Sequence, residues 1–339
     1  MAESLPPALQ PPVAVALAKL IKAFPGPNAL PGGLTAEPKW DGYRTTAYIE
    51  PDRVTLWSRQ GKELTKILPD LAEALADQVP PGVVLDGEAI IWNKDRLDFE
   101  ALQRRMVTSR AALPALVKEL PASFVAFDVL AVAGQDTRGA PFTGRRQLLE
   151  ELARDWAAPL TFSPTTGDME LAKTWLRDLP ATGIEGLVFK GAAQPYEATR
   201  SWLKLKHKDV LDVVCAAVIG PVAQPQAIIT GLPIDGELQI VGRSTVLSTK
   251  VGRELARHLH PAGPGHPWPE EISESSLNRF SKDKGPVRLT LVKPIVVEVS
   301  ADVAWSGTSF RHPVSYRRAR PDLDPSEVRV PPELDIRHR

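Results

Sequence analysis

Lys39-Trp40-Asp41-Gly42-Tyr43-Arg44 is the most informative stretch of this 339-residue chain. It lies between two runs of β-forming residues, Leu34 to Lys39 and Arg44 to Ile49, and Asp41-Gly42 has the composition of a turn joining them. A lysine placed there has its backbone held by strand packing while its tip stays exposed. Glu37, two residues earlier, shares its face of the strand. Taken alone, the stretch is an ordinary strand lysine ahead of a turn.

The composition frames what such a lysine can serve. Hydrophobic residues make up 43% of the chain and charged residues 24%, as in soluble globular proteins, and the length allows two cores. No apolar run reaches the ~18–20 residues of a membrane span. Met1-Ala2-Glu3-Ser4 lacks the basic start of a signal peptide. The single cysteine, Cys215, lies in an apolar run and cannot form an intrachain disulfide, so a reducing, cytoplasmic location is expected. Net charge is zero, but from Arg200 onward there are 20 Lys/Arg against 16 Asp/Glu, which leaves 21 against 25 before it. Basic clusters rather than total charge hold phosphates. Candidates are Arg200, Lys204, Lys206 and Lys208; Arg279, Lys282, Lys284 and Arg288; and Arg311, Arg317, Arg318 and Arg320.

Residues 1–208 read as mixed α and β. After an N-terminal packing element ending at Pro25-Gly26-Pro27, strands are expected at 54–58, 83–92, 124–132, 186–190 and 202–206. Helices are expected at 67–78, 145–152 and 169–179. This is an α+β pattern without a parallel βαβ repeat. Composition shifts at His207-Lys208-Asp209. Residues 209–323 read mostly as strand, at 210–219, 237–241, 287–292 and 295–299, with one helical insertion near Arg253, which suits a small OB-fold barrel. Residues 324–339 read as an extended polar tail. His258, His260 and His266 cluster in a proline-rich stretch without partner ligands at a metal-site spacing, and a surface loop is expected there.

Further short motifs stand in order along the first domain: Ser58-Arg59-Gln60-Gly61; Asp86-Gly87-Glu88; Phe127-Asp128; Glu185-Gly186-Leu187-Val188-Phe189-Lys190; and Trp202-Leu203-Lys204-Leu205-Lys206. In the last, alternation sends Lys204 and Lys206 to one face, an arrangement that makes sense when both face a phosphate. Together with Lys39-x-Asp-Gly-x-Arg44, the set resembles the nucleotidyl-transfer motifs of ATP-dependent DNA ligases and of their relatives, RNA ligases and mRNA-capping enzymes. Arg311-His312-Pro313-Val314, followed by Arg318-Ala319-Arg320-Pro321-Asp322, resembles the last ligase motif, with Leu323 where its closing lysine is usual. The combination is most similar to small bacterial ligases of the C type. These consist of an adenylyltransferase domain (ATP-grasp-like, antiparallel sheets with helices) and an OB-fold domain. With Lys39 so near the start, no helical DNA-binding domain is expected before it, and no polymerase or nuclease module is expected either.

The resemblance implies a division of labour. Lys39 is the nucleophile that takes up AMP from ATP. Glu37 contacts the adenine edge, Phe127 stacks on the base, and Arg44, Arg59 and Arg200 contact the ribose and phosphate side. Glu88 serves the ribose or a metal, Glu185 a metal, and Lys204 and Lys206 the α-phosphate. Arg311, Arg317, Arg318, Arg320 and Asp322 belong to the second domain's phosphate contacts, one of the arginines substituting for the usual lysine. Attack requires a neutral amine, and surrounding cations with partial desolvation are expected to lower its pKa. ATP is the implied substrate, Mg2+ or Mn2+ the implied metal, and nicked duplex DNA the implied partner of a monomeric repair enzyme. An RNA ligase, a capping-type enzyme using GTP and a catalytically silent nucleic-acid-binding protein are the alternatives.

Overall fold

The computed structural model describes residues 5–207, 209–277, 285–301, 305, 309–331 and 334. Packing separates two units, Met1–His207 and Lys208–Arg339. The strands of the first are β1 (Ala18–Ile21), β2 (Leu34–Pro38), β3 (Tyr43–Ile49), β4 (Val54–Ser58), β5 (Val83–Asn93), β6 (Arg96–Leu97), β7 (Ala122–Val132), β8 (Gln135–Asp136), β9 (Leu160–Phe162), β10 (Gly186–Gly191) and β11 (Trp202–Lys206). Its helices are α1 (Pro69–Gln78), α2 (Phe99–Val107), α3 (Leu113–Glu119), α4 (Phe142–Leu152) and α5 (Met169–Asp178).

These strands form two sheets. The larger runs β4-β3-β5-β7-β8, with β6 on β5 and β9 on β7; the smaller runs β1-β11-β10-β2. Residues 83–85 and 89–91 of β5 are buried, because Val83, Leu85, Ala89 and Ile91 enter one core while Val84 and Ile90 enter two others. Such burial on both faces accounts for its two short apolar runs, one on each side of Asp86-Gly87-Glu88. Pro69 starts α1, where no backbone donor is needed, and Leu71 and Leu75 of that helix meet the same core as Leu85. Asp168 caps α5 by accepting from Glu170 N at 2.8 Å.

One expectation is corrected here. The Asp41-Gly42 segment does not close a hairpin, because β2 belongs to the smaller sheet and β3 to the larger. The chain crosses between sheets at this point, so Lys39 lies where the two meet. Gly42 is required by close approach: a Cβ there would stand 2.2 Å from the Ala89 carbonyl oxygen and 2.9 Å from Ile90 Cγ2.

The second unit comprises β12 (Asp209–Ile219), β13 (Ala227–Ile234), β14 (Glu237–Arg243), α6 (Thr249–Ala256), β15 (Glu271–Ser273), α7 (Glu274–Leu277), β16 (Pro286–Arg288), β17 (Thr290–Ala301) and β18 (Ser315–Ala319). Among the described residues a five-stranded antiparallel sheet runs β14-β13-β12-β17-β18, beside the β15–β16 pair. The expected barrel is not closed by a continuous ladder. Among the described residues the edges of the sheet meet at a parallel bridge, Ser244 to Val314, where Val314 N donates to Arg243 O at 3.0 Å and Thr245 N to Val314 O at 2.8 Å, and Phe310 N donates to Val241 O at 2.8 Å. The two strands expected at 287–292 and 295–299 are also redrawn. One long strand, β17, passes through Pro294 at an irregularity: Cys215 pairs with Ile295 but Ala217 with Leu291. A residue without an N–H is tolerated where the ladder is already interrupted.

Beyond Asp322 the chain is not simply extended. Pro325–Glu327 form a 3-10 turn capped by Asp324, and Val328 and Leu334 join the core of this unit. His266 folds onto its own loop, its ring nitrogens 3.3 Å and 3.2 Å from the carbonyl oxygens of Trp268 and Val292. Of the basic candidates, Lys208, Arg279, Lys282 and Lys284 lie outside the described residues.

Candidate active site

A cavity of about 560 Å³ opens in the first unit, walled by both of its sheets. Glu37 and Lys39 reach it from the end of β2, Arg44 from β3, Glu88 from β5 and Phe127 from β7. Arg59, just past β4, and Arg200 and Lys204, at β11, complete the basic side. Eight of the residues singled out in the sequence therefore share one cavity wall. Glu185 and Lys206 join through Lys39: Lys39 Nζ is hydrogen-bonded to Glu185 Oε2, and Lys206 Nζ lies 3.6 Å from the same oxygen.

The electrostatics depart from the simplest expectation for the nucleophile. Burial alone would lower the pKa of Lys39, but Glu185, with Glu88 and Asp41, outweighs it and holds the amine above its ordinary range. The expected depression falls on Lys204 instead, through burial first and then the charges of Lys39 and Lys206. Glu88 is half-buried, and desolvation pushes its carboxyl up to about 8 despite Lys39 and Arg44. The site is thus a charged ammonium between carboxyls, with a lysine-rich strand beside it.

Arg44 is held rather than free. Its Nε and Nη2 donate to Asp86 Oδ1 and Oδ2 at 3.0 and 2.5 Å, and its guanidinium carbon lies 5.3 Å from the Phe127 ring centre and 5.1 Å from that of Trp202. It also donates to the Ala16 carbonyl. The segment before β1 is pinned over the cavity by further bonds, from Val13 N to the Tyr48 hydroxyl at 2.8 Å and from Ala16 N to the Tyr196 hydroxyl at 3.1 Å. Ala14, Val15, Leu17 and Ala18 consequently form a wall that the sequence had shown only as apolar packing.

Lys190 is the residue that sequence reasoning passed over. It is 1% exposed, and its Nζ donates to the Phe127 carbonyl at 2.7 Å, lies 3.0 Å from Glu37 Oε2 and 3.7 Å from Asp128 Oδ2. Asp128 in turn accepts from Arg145 Nε and Nη2 at 2.7 and 3.1 Å, with both side chains fully buried. The available signal was a lysine ending the otherwise apolar run Gly186 to Phe189, an unusual place for an unpaired charge.

In the second unit, two arginines of the last motif, Arg318 and Arg320, are already engaged with carboxylates. Arg318 Nη2 donates to Glu298 at 2.8 Å across the β17–β18 pair. Arg320 bonds Asp212 at 3.1 Å and Asp322 at 2.8 Å, and Arg317 is exposed while Arg311 is half-buried.

Comparison with known proteins follows the same lines. The family described as ATP dependent DNA ligase domain matches residues 12–206. DNA ligase C of Mycobacterium tuberculosis is 33% identical over 94% of this chain and 92% of its own length. DNA ligase C1 of Mycolicibacterium smegmatis is 32% identical over 94% of this chain and 92% of its own. Among solved structures, a Lig E DNA ligase superposes with a TM-score of 0.53 at 17% identity, covering 91% of this chain and all of that one, a likeness of fold.

Proposed function

The chain belongs to the ATP-dependent DNA ligase family, as a ligase of the C type, and from that premise we propose how its residues seal a nick in duplex DNA. The observation carrying the assignment of roles is Lys39, lining a nucleotide-sized cavity with its amine bonded to Glu185 and cationic side chains close by. In the first step Lys39 Nζ gives up a proton along its bond to Glu185 and attacks the α-phosphorus of ATP. A P–N bond forms and pyrophosphate leaves. AMP then passes to the 5′-phosphate at the nick, regenerating the amine. Finally the 3′-hydroxyl attacks that phosphate, and AMP departs as the backbone bond closes.

Lys204 and Lys206 supply positive charge to the α-phosphate oxygens, where charge accumulates in transfer. Arg59 and Arg200, exposed at the cavity, take the outer phosphates and ribose. Arg44 is fixed by Asp86 for the same side. Phe127 offers a ring face to adenine. Glu37 offers its edge contact, since Oε1 is buried and has no hydrogen-bond partner while Oε2 is held by Lys190.

A divalent ion suits the remaining carboxyls. Glu88 is pushed up chiefly by desolvation, so a cation arriving with the phosphates relieves it, and Glu185 offers a second oxygen donor. The chemistry that Mg2+ or Mn2+ supplies when bound is neutralisation of phosphate charge, including that of the departing pyrophosphate. The β-rich second unit is read as an OB-fold whose Arg311, Arg317, Arg318 and Arg320, with Asp322, meet phosphates. We read the enzyme as a monomer acting in the cytoplasm beside DNA-repair proteins.

The test is direct. Protein incubated with ATP and Mg2+ gains the mass of one AMP at Lys39, GTP gives no adduct, and Lys39→Ala gains nothing. An adduct elsewhere, or with GTP alone, overturns the assignment. Sealing of nicks bearing DNA or RNA on either side then defines the substrate.

A further inference from the structure

We propose that Tyr196 is a positioning residue that makes Arg44 a reader of the nucleotide's ribose rather than a phosphate clamp; the proposal rests on the nucleotide-binding reading of this cavity. Tyr196 lies between β10 and β11, outside every motif singled out in the sequence, and is 5% exposed. Its backbone N donates to the Arg138 carbonyl at 2.8 Å, and its ring meets that of Trp202 edge-on, with centres 5.7 Å apart. A buried tyrosine needs a partner for its hydroxyl, and ordinary core packing supplies one from any nearby carbonyl. Among the described residues, every partner of this hydroxyl instead belongs to the frame of the cavity.

The hydroxyl donates to Asp86 Oδ2 at 2.6 Å, accepts from Ala16 N at 3.1 Å and lies 3.4 Å from Arg44 Nη2. Burial, and after it the charge of Asp86, pushes the phenol well above its ordinary range, so the proton stays to make the first of these bonds. Asp86 receives Arg44 Nε and Nη2 on its two oxygens. Ala16 stands in the middle of the wall segment, its N–H directed to Tyr196 and its carbonyl accepting from Arg44 Nη1. One hydroxyl thus closes a ring of bonds through Asp86, Arg44 and the wall.

The consequence lies in which donor of Arg44 is left. Nε, both Nη2 hydrogens and one Nη1 hydrogen are directed at Asp86, Tyr196 and Ala16. Among the described residues the other Nη1 hydrogen has no acceptor, on a guanidinium that lines the cavity. An arginine grips phosphate best with two parallel N–H bonds. A single remaining donor, with its charge already matched by Asp86, suits a neutral hydroxyl oxygen instead. Such a bond discriminates against an analogue that lacks the hydroxyl. Without the Tyr196 hydroxyl, Asp86 and Ala16 N each lose a partner, and the guanidinium is free to turn a pair of donors toward phosphate.

The experiment measures single-turnover labelling of Lys39 by ATP, 2′-deoxy-ATP and 3′-deoxy-ATP, for the full chain. Wild type is expected to favour ATP over at least one of the deoxynucleotides by about tenfold or more. Tyr196→Phe keeps the ring and is expected to cut that preference at least about fivefold and to raise the KM for ATP, with the maximal rate within about threefold of wild type. Tyr48 accepts from Val13 N at 2.8 Å, so Tyr48→Phe loosens the wall without touching Arg44 and is expected to raise KM for all the nucleotides alike. A merely structural role for Tyr196 predicts that same uniform pattern, and finding it in Tyr196→Phe overturns the proposal. If Tyr196→Phe does not fold, Arg44→Lys decides, because an ammonium lacks the fork that Asp86 and Ala16 hold; a preference kept in that variant overturns the proposal, and its loss supports it. Wild type that labels with ATP but treats the deoxynucleotides equally overturns this proposal alone, whereas labelling by none of them overturns the functional reading as well.

Discussion

Lys39 is held protonated by the same carboxylate that stands ready to receive its proton. Because Glu185 raises the amine's pKa, the first step in wild type is expected to quicken as pH rises through the alkaline range. Glu185→Gln removes the anion, so the amine's pKa falls and the rise shifts to lower pH, while the plateau drops about tenfold or more. Rapid-quench labelling across pH checks this; an unshifted profile would mean Glu185 does not control the charge on Lys39. Glu88 gives a stability counterpart. Its carboxyl stands at about 8 in the folded chain against an ordinary 4.5, so the folded state binds the extra proton between those values and stability falls as pH rises through them. Glu88→Gln removes that slope. The variant is expected to melt like wild type near about pH 5, and to be more stable by on the order of 2 kcal/mol near about pH 9, while losing labelling activity. Lys39, Glu37 and Glu88 were legible in the sequence because each lies in a short local motif. Lys190 was not, because its meaning depends on Phe127, Asp128 and Glu37, which strand pairing brings together across long stretches of chain.

Gly42 shows what a local pattern can and cannot say about an element. An Asp-Gly pair predicts a turn, and the chain does change direction there. The reason for glycine, however, is the Ala89 carbonyl on a neighbouring strand. Gly42→Ala is therefore expected to cost about 2–4 kcal/mol, since backbone must move to admit the methyl group, and to slow lysine labelling by displacing β2. Thermal melting and labelling measured together check this, and a neutral variant would show that the crossing has slack. Long strands such as β5 and β7 were legible because burial on both faces leaves apolar runs broken only by short polar motifs. β13 was not anticipated, and Gly231 and Pro233 interrupt its apolar run. In the folded chain a Cβ at Gly231 would stand 2.6 Å from the Trp268 ring, so that glycine marks close packing inside a strand.

At the level of the whole molecule, charge is balanced by sequence yet divided by structure. Arg318 and Arg320 hold Glu298, Asp212 and Asp322, so their charge is partly matched within the second unit, whereas Arg317 is exposed. Nick binding is expected to weaken roughly 100-fold between about 50 and 200 mM salt, as for a few phosphate contacts. Arg317→Ala should reduce the slope of log affinity against log salt by about 1, while Arg320→Ala should chiefly lower the melting temperature. Titrations of nicked duplex at several salt concentrations decide; a flat response contradicts an electrostatic footprint. The change in pattern near His207 falls beside the limit between the two packed units, whereas the way the second sheet's edges meet could not be read from the sequence, because it depends on Ser244 and Val314, far apart in the chain.

The pairing of β1 with β11 sets an order of events during synthesis. Ala18 emerges early but finds its parallel neighbour only when Trp202 has left the ribosome, and the wall made by Ala14 to Ala18 waits with it. A nascent chain truncated before that neighbour should retain the larger sheet yet be unable to acquire adenylate. Competence would then switch on late in translation, once the lysine-bearing strand that ends the first unit has been delivered.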